Sequence, residues 1–174
     1  MKKILPFVVS VAGLFACNSL SAQQDKSTRP SPPVIVTQEI SSGAVINIDY
    51  SQTSVKGRTI GKDLEPINGK IWRTGANEAT VFETSKAVTI NGKNLPAGKY
   101  ALFTISGDEN WTIIFNKTWK QWGAFSYKET DDALRVSVKA QKAEAFVEKL
   151  NFSIEKSGIV TLLWGDHKIV FAAE

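Results

Sequence analysis

This sequence predicts an all-β domain, an antiparallel β-sandwich with a jelly-roll variant open and at most one short helix. Three observations predict it. Short β-prone runs recur along the chain with turn residues between them. Several of those runs alternate apolar and polar residues, the period of a strand with one buried face. No internal repeat and no strand–helix–strand rhythm interrupts them, so a parallel sheet is not indicated.

The elements follow in order. Val34 to Ile40 is rich in β-branched residues. Ala44 to Tyr50 sets Val45, Asn47 and Asp49 on one face against Ile46, Ile48 and Tyr50 on the other. Thr80 to Thr84 and Ala87 to Ile90 are two short runs, and Asn91-Gly92 after them is the dipeptide of a two-residue hairpin turn. Pro96-Ala97-Gly98 marks another turn, and Lys99 to Ile105 is apolar enough for a central strand. Past a polar turn at Ser106 to Asn110, Trp111, Ile113 and Phe115 share one face. Leu134, Val136 and Val138 alternate with Arg135, Ser137 and Lys139; Leu150, Phe152 and Ile154 do the same with Asn151, Ser153 and Glu155. Ser157-Gly158 turns the chain into Ile159 to Trp164, and His167 to Ala172 ends it. The total is about nine or ten strands, as in sandwiches and barrels. Gln141 to Lys149 is the helical candidate, because Ala143, Phe146, Val147 and Leu150 sit at helical spacing.

Composition bounds the function. The chain has 174 residues, 43% hydrophobic and 22% charged, with five Trp, nine Phe and three Tyr to fill a core. Residues 1–22 have the layout of a secretory signal: Met1-Lys2-Lys3, an apolar run from Ile4 to Ala16, and the small-residue stretch Ser19-Leu20-Ser21-Ala22. The apolar run is too short to span a bilayer as a stable helix. Cleavage after Ala22 would release a periplasmic or secreted protein. A lipobox reading of Leu14-Phe15-Ala16-Cys17 would instead leave Cys17 lipidated and the domain anchored in the outer membrane. Of the 21 basic residues, Lys2 and Lys3 fall in this leader, which leaves 19 against 17 acidic residues, a net +2. That balance argues against nucleic acid as a partner. Residues 23–33 are polar and proline-rich, a flexible linker ahead of one domain over 34–174.

Several segments carry chemistry. Trp72 to Thr80 is the densest polar-aromatic stretch. As a site it offers Trp72 as an apolar platform, Arg73 and Glu78 as charged contacts and Asn77 as a two-way hydrogen-bonding group, a set that suits a glycan or other small polar ligand. As plain structure it is a strand ending in a turn, with Gly75 at the reversal, Asn77 capping it and Arg73 paired with a carboxylate such as Glu78. Lys56 and Arg58 flank Gly57 in what is either an anion-contacting loop or a solvated turn. Trp119, Trp122, Phe125 and Tyr127 surround Gly123, either as a carbohydrate platform or as a lid over a sandwich end.

Catalytic signatures are sparse. A single histidine, His167, and the lack of a cysteine after Cys17 exclude the common zinc patterns, and no cofactor is implied. Asp166 beside His167 would point to the opposite face of a strand. No Gly-x-Ser-x-Gly elbow or phosphate-binding glycine loop is present. Carboxylates from distant strands, Glu78 with Glu83 or Asp49, could still form a glycosidase-like pair.

The segments Ser54-Val55-Lys56-Gly57-Arg58, Trp72-Arg73-Thr74-Gly75-Ala76-Asn77-Glu78-Ala79-Thr80, Leu95 to Phe103, Trp111 to Asn116 and Trp122-Gly123-Ala124-Phe125 with Tyr127 carry a resemblance. Through them the chain resembles the bacterial domain-of-unknown-function family twenty-nine eleven, over roughly residues 35–174. One departure is that Gln52-Thr53 stand where the family often has Arg-Pro. The resemblance implies a single domain in an envelope setting and supplies no activity. Three functions remain in view: noncatalytic binding of a glycan or polar ligand, a carboxylate-dependent hydrolase with Glu78 as acid or base, and an envelope scaffold that meets a partner through a sheet edge or the aromatic loop.

Overall fold

The computed structural model describes residues 25–174. The signal segment at 1–22 and Cys17 lie outside the described residues. Eleven strands form three antiparallel sheets among the described residues: β1 (Pro33–Glu39), β2 (Val45–Ser51), β3 (Ile71–Trp72), β4 (Thr80–Thr84), β5 (Val88–Ile90), β6 (Lys93–Leu95), β7 (Gly98–Ile105), β8 (Asn110–Asn116), β9 (Asp132–Lys139), β10 (Gln141–Ile154) and β11 (Ile159–Ala172). The large sheet runs β1-β2-β4-β7-β8-β9, with β3 pairing β7 as well. Its path is a meander rather than the Greek-key crossing of a jelly roll. The β10–β11 hairpin and the short β5–β6 hairpin form the other two sheets.

Side-chain alternation decides which face is buried. In β2, Ile46, Ile48 and Tyr50 enter the main core, and Val45, Asn47 and Asp49 face outward. Leu150, Phe152, Leu162 and Trp164 of the long hairpin share that core with Phe82, Leu102 and Phe115 of the large sheet. The result is a two-layer, sandwich-like arrangement in which each buried Phe, Leu or Ile contributes about 1.5–3 kcal/mol. Asn91 and Gly92 both take positive φ, 47° and 79°, as a tight turn requires. The Asn91 side chain then accepts the Ala172 N–H at 2.8 Å, which ties this hairpin to β11.

The segment expected as a helix, Gln141 to Lys149, is the first half of β10. Its pairing with β11 is irregular twice, between Lys142 and Val147 and again between Val147 and Asn151. The first sets five steps of β10 against two of β11 and so shifts the alternation out of phase; the second sets four against two and leaves the phase unchanged. Ala143 and Leu150 therefore both reach the interior although their offset along the strand is odd, and Phe146 is 55% exposed. The helical spacing is the trace of these bulges. Among the described residues, no helix is long and apolar enough to cross a membrane.

His167 lies on β11 against Trp111, with ring centroids 5.3 Å apart, and opposite Lys142 on β10. Burial lowers its imidazole below the ordinary 6.5, and the neighbouring Asp166 opposes the shift only in part. A histidine depressed in the folded state binds its proton more weakly than the unfolded chain does. Stability is therefore full above 6.5 and declines as pH falls toward the lowered native value. Urea unfolding at stepped pH should show this slope in the native chain and lose it in His167→Gln. Equal slopes in both proteins would mean that the imidazole is not the titrating group.

Candidate functional site

Strands β3 and β4 lie end to end along the same side of β7: Trp72 pairs Thr104, and Thr80 pairs Leu102. Residues 73–79 leave the sheet between them and return where the Thr80 N–H reaches the Arg73 carbonyl at 3.1 Å. The excursion is pinned from below. Thr74 and Asn77 take positive φ, both 55°, and Ala76 N–H bonds the Ser51 carbonyl. Gly75 is needed for close approach, since a Cβ there would sit 3.0 Å from Thr80 Oγ1 and 3.3 Å from the Ser51 carbonyl oxygen. Trp72 is only 1% exposed and donates its indole N–H to the Gly75 carbonyl at 3.1 Å. It holds the loop from beneath and offers no ring face to a ligand.

The expected Arg73–Glu78 pair does not form. Adjacent arms of the excursion turn these side chains to different cavities. Glu78 is taken by the segment before β1: Arg29 donates to both carboxylate oxygens at 2.9 and 3.1 Å, and Lys26 lies 3.0 Å away. Residues 25–33, expected as a flexible linker, thus lie against the domain, with a short 3-10 turn at Lys26–Thr28. Asn77 donates to the Ser31 carbonyl at 3.0 Å and helps to hold this strap.

A second loop meets the first. Ala79 N–H bonds the Gln121 carbonyl and Gly123 N–H bonds the Asn77 carbonyl, so Glu78 and Trp122 pair as an isolated bridge. This zips the aromatic loop over the outer face of the large sheet. There Ala79, Ala101, Phe103 and Ile114 form a small second core closed by Ala124 and Tyr127. Tyr127 packs edge-on against Phe103. Its hydroxyl donates to Asp132 at 2.8 Å and accepts from Arg135, and burial with the Asp132 bond pushes it up to about 12. Tyr127 is a clasp and has no free polar group for a ligand.

Trp119 and Trp122 stay open, 39% and 56% exposed. Lys99 lies 5.4 Å over the Trp119 ring and the Arg29 guanidinium 5.9 Å over that of Trp122, contacts that orient both indoles. With Ile35, Asp49, Val81, Glu78, Lys26 and Gln121 they line a cavity of about 440 Å³ on the outer face of the sheet. Its base follows from register, because Ile35 pairs Asp49 and Asp49 pairs Val81 across β1, β2 and β4. Two carboxylates face this space and are moved in opposite directions. Burial raises Asp49 above the usual carboxylate range, with the Glu78 charge adding and Lys26 opposing. Burial also acts to raise Glu78, but hydrogen bonds from its own N–H, Lys26 and Arg29 outweigh it and hold the group low.

Lys56, Arg58 and Arg73 line a different cavity, of about 370 Å³, between the β2–β3 connection, the excursion and the strap. Arg58 is partly committed, donating to the Val55 and Ser54 carbonyls at 3.0 and 2.6 Å. The nine candidate residues therefore divide. Glu78, Trp119 and Trp122 gather on one cavity; Lys56, Arg58 and Arg73 gather on the other, which Trp72 closes from the core side; Asn77 and Tyr127 hold loops. Among the described residues, no group of three or more His, Cys, Asp or Glu is arranged to hold a metal ion.

A family model described as "Protein of unknown function (DUF2911)" matches residues 31–173, nearly the whole described domain. The chain belongs to this family. No curated protein and no solved structure matches it. The match begins at Ser31, so part of the strap falls inside the DUF2911 domain itself.

Sequence reasoning missed Lys26, Arg29 and Gln121, and it reached Asp49 only as a partner for Glu78. Asp49 was the most legible of these. The alternation of β2 already places it opposite the core face. Lys26 and Arg29 carry no such signal, because a polar, proline-rich stretch looks the same whether or not a carboxylate waits for it.

Proposed function

We propose that this DUF2911 chain is an exported, noncatalytic envelope domain that binds a glycan in the cavity between the aromatic loop and the outer face of the large sheet. The observation that carries this reading is two open indoles beside two carboxylates in one cavity of about 440 Å³. Indole faces stack on the apolar faces of sugar rings, and carboxylates accept hydrogen bonds from sugar hydroxyls. Export rests on the signal-like layout of residues 1–22.

Three of the five tryptophans, Trp72, Trp111 and Trp164, are fully buried, so ligand-induced changes in emission report on Trp119 and Trp122. Titration with cello-, malto-, xylo- and chito-oligosaccharides should change that emission and release heat for at least one series. Trp119→Ala and Trp122→Ala should each weaken binding by about tenfold, consistent with ~0.5–1.5 kcal/mol for a stacked ring plus its buried area, and leave the urea midpoint unchanged. No response from any series, or binding by both variants as tight as by the native chain, would end the glycan reading.

One observation favours the hydrolase reading as a second. The opposed shifts of Asp49 and Glu78 in one cavity are the pattern of an acid and a base set apart by their surroundings. Release of reducing ends during the same titration, abolished in Asp49→Asn, would decide for hydrolysis over simple binding.

A further inference from the structure

The cavity lined by Arg73 contains an unmatched set of charges. Lys56, Arg58 and Arg73 line it against a single carboxylate, Glu65. Among the described residues, Arg73 makes no ion pair, and its Nε is buried with no hydrogen-bond partner. Burial draws its guanidinium down from the ordinary arginine value, and Glu65 offsets this only in part. A half-buried cation with an idle donor is costly to keep unless something completes it. The chain has not met that cost with a neighbour. The Thr80 N–H bond to the Arg73 carbonyl and the Trp72 indole bond to the Gly75 carbonyl fix the backbone that carries Arg73 at this cavity. Beside it, Lys56 and Gly57 both take positive φ, 49° and 72°, in a turn fixed where Glu148 accepts the Lys56 backbone N–H at 2.7 Å. The Thr53 and Ser54 residues complete that wall.

We propose that this cavity is a binding site for an oxyanion carried on a sugar-sized ligand, held by Arg73, Lys56 and the remaining donors of Arg58. Arginine forks match the paired oxygens of phosphate and carboxylate, and a lysine adds a point charge. A volume of about 370 Å³ is roughly tenfold the share of one water, so it accommodates the body of a small ligand as well as its anionic group. Glu65 lines the same space and cancels one of the three positive charges, which leaves the lining net positive and complementary to an anion. The site is separate from the aromatic cavity: no residue lines both.

The test uses the domain at low ionic strength, with thermal unfolding and calorimetry against four probes: inorganic phosphate, glucose 6-phosphate, glucuronate and, as the neutral control, glucose. Glucose 6-phosphate, glucuronate or both should raise the unfolding temperature and bind, weakening as salt is added, and glucose should do neither. The two anionic arms separate a phosphate from a carboxylate preference. Arg73→Gln should weaken binding by about tenfold to a hundredfold, the worth of charge-assisted hydrogen bonds, while the ligand-free variant unfolds no earlier than the native chain. Lys56→Gln, at an exposed turn, is the second variant, with a loss of about fivefold to tenfold. Trp122→Ala should bind the anion unchanged, so failure of the glycan reading leaves this one standing, and the reverse. The proposal is overturned if no anionic probe binds at millimolar concentration, if phosphate alone binds and both variants bind it equally, or if binding is lost in Trp122→Ala but kept in Arg73→Gln.

Discussion

Phe115→Ala is expected to lower the unfolding free energy by about 3–5 kcal/mol. Phe115 is fully buried on β8 and its ring is the meeting point of both layers. It packs edge-on against Phe82 of β4 at 5.1 Å, Tyr100 of β7 at 6.4 Å and Phe171 of β11 at 6.1 Å. Truncation therefore removes the transfer energy of a whole ring, three aromatic contacts and the contact between sheets, and β neighbours held in register cannot collapse into the gap. Phe125→Ala is the control. That ring is 88% exposed, so its loss should change stability by less than about 0.5 kcal/mol. Urea unfolding of both variants is the measurement. A Phe115→Ala cost under about 1.5 kcal/mol would mean that the two layers are not joined through this cluster.

Gly158→Ala should destabilise by at least about 3 kcal/mol, an unusual size for the addition of one methyl group. Two causes add. Gly158 turns β10 into β11 at φ +91°, a conformation that an L-residue adopts only at a cost of roughly 1–2 kcal/mol. A Cβ at this position would also stand 2.0 Å from the Ala173 carbonyl oxygen and 3.0 Å from its carbon, which are backbone atoms and cannot rotate away. Ala173 is held there by its N–H bond to the Gly158 carbonyl at 2.9 Å. The next residue is locked by the reciprocal Thr89–Glu174 bonds at 2.7 and 2.9 Å. The clash would push the end of β11 off the β5–β6 hairpin. Gly57→Ala separates the two causes, because Gly57 has φ +72° and no atom within 4 Å of the place a Cβ would take. It should cost only the conformational part, about 1–2 kcal/mol. Similar losses in the two variants, read as urea midpoints, would show that the Ala173 contact relaxes freely.

Both predictions rest on features of different legibility. The Ser157-Gly158 turn is visible in the sequence, yet nothing there says that the last residues of the chain pass within contact of it. Phe115 is recognisable as a core residue from its alternation with Ile113 and Trp111, but its partners on β4 and β11 are not. The aromatic loop was open between platform and lid, and the structure divides it residue by residue. Tyr127 and Ala124 close the second core, while Trp119 and Trp122 remain accessible.

The all-β class, the turns at Asn91-Gly92 and Ser157-Gly158, the inward face of nearly every strand and the family to which the chain belongs can all be read from the amino-acid order. Those properties are local: they follow from side-chain period, from backbone conformations that few residues tolerate and from contiguous motifs. Long-range packing was needed to make Gln141 to Lys149 a strand, because two bulges against β11 disguise a period of two as one near helical spacing. Packing also sets Glu78 against Lys26 and Arg29 instead of Arg73, and divides the candidate residues between an aromatic cavity and a cationic one. Charge pairing and cavity walls depend on which distant segments the sheet register brings together, and each register is set by burial summed over whole strands rather than by the residues that end up in contact.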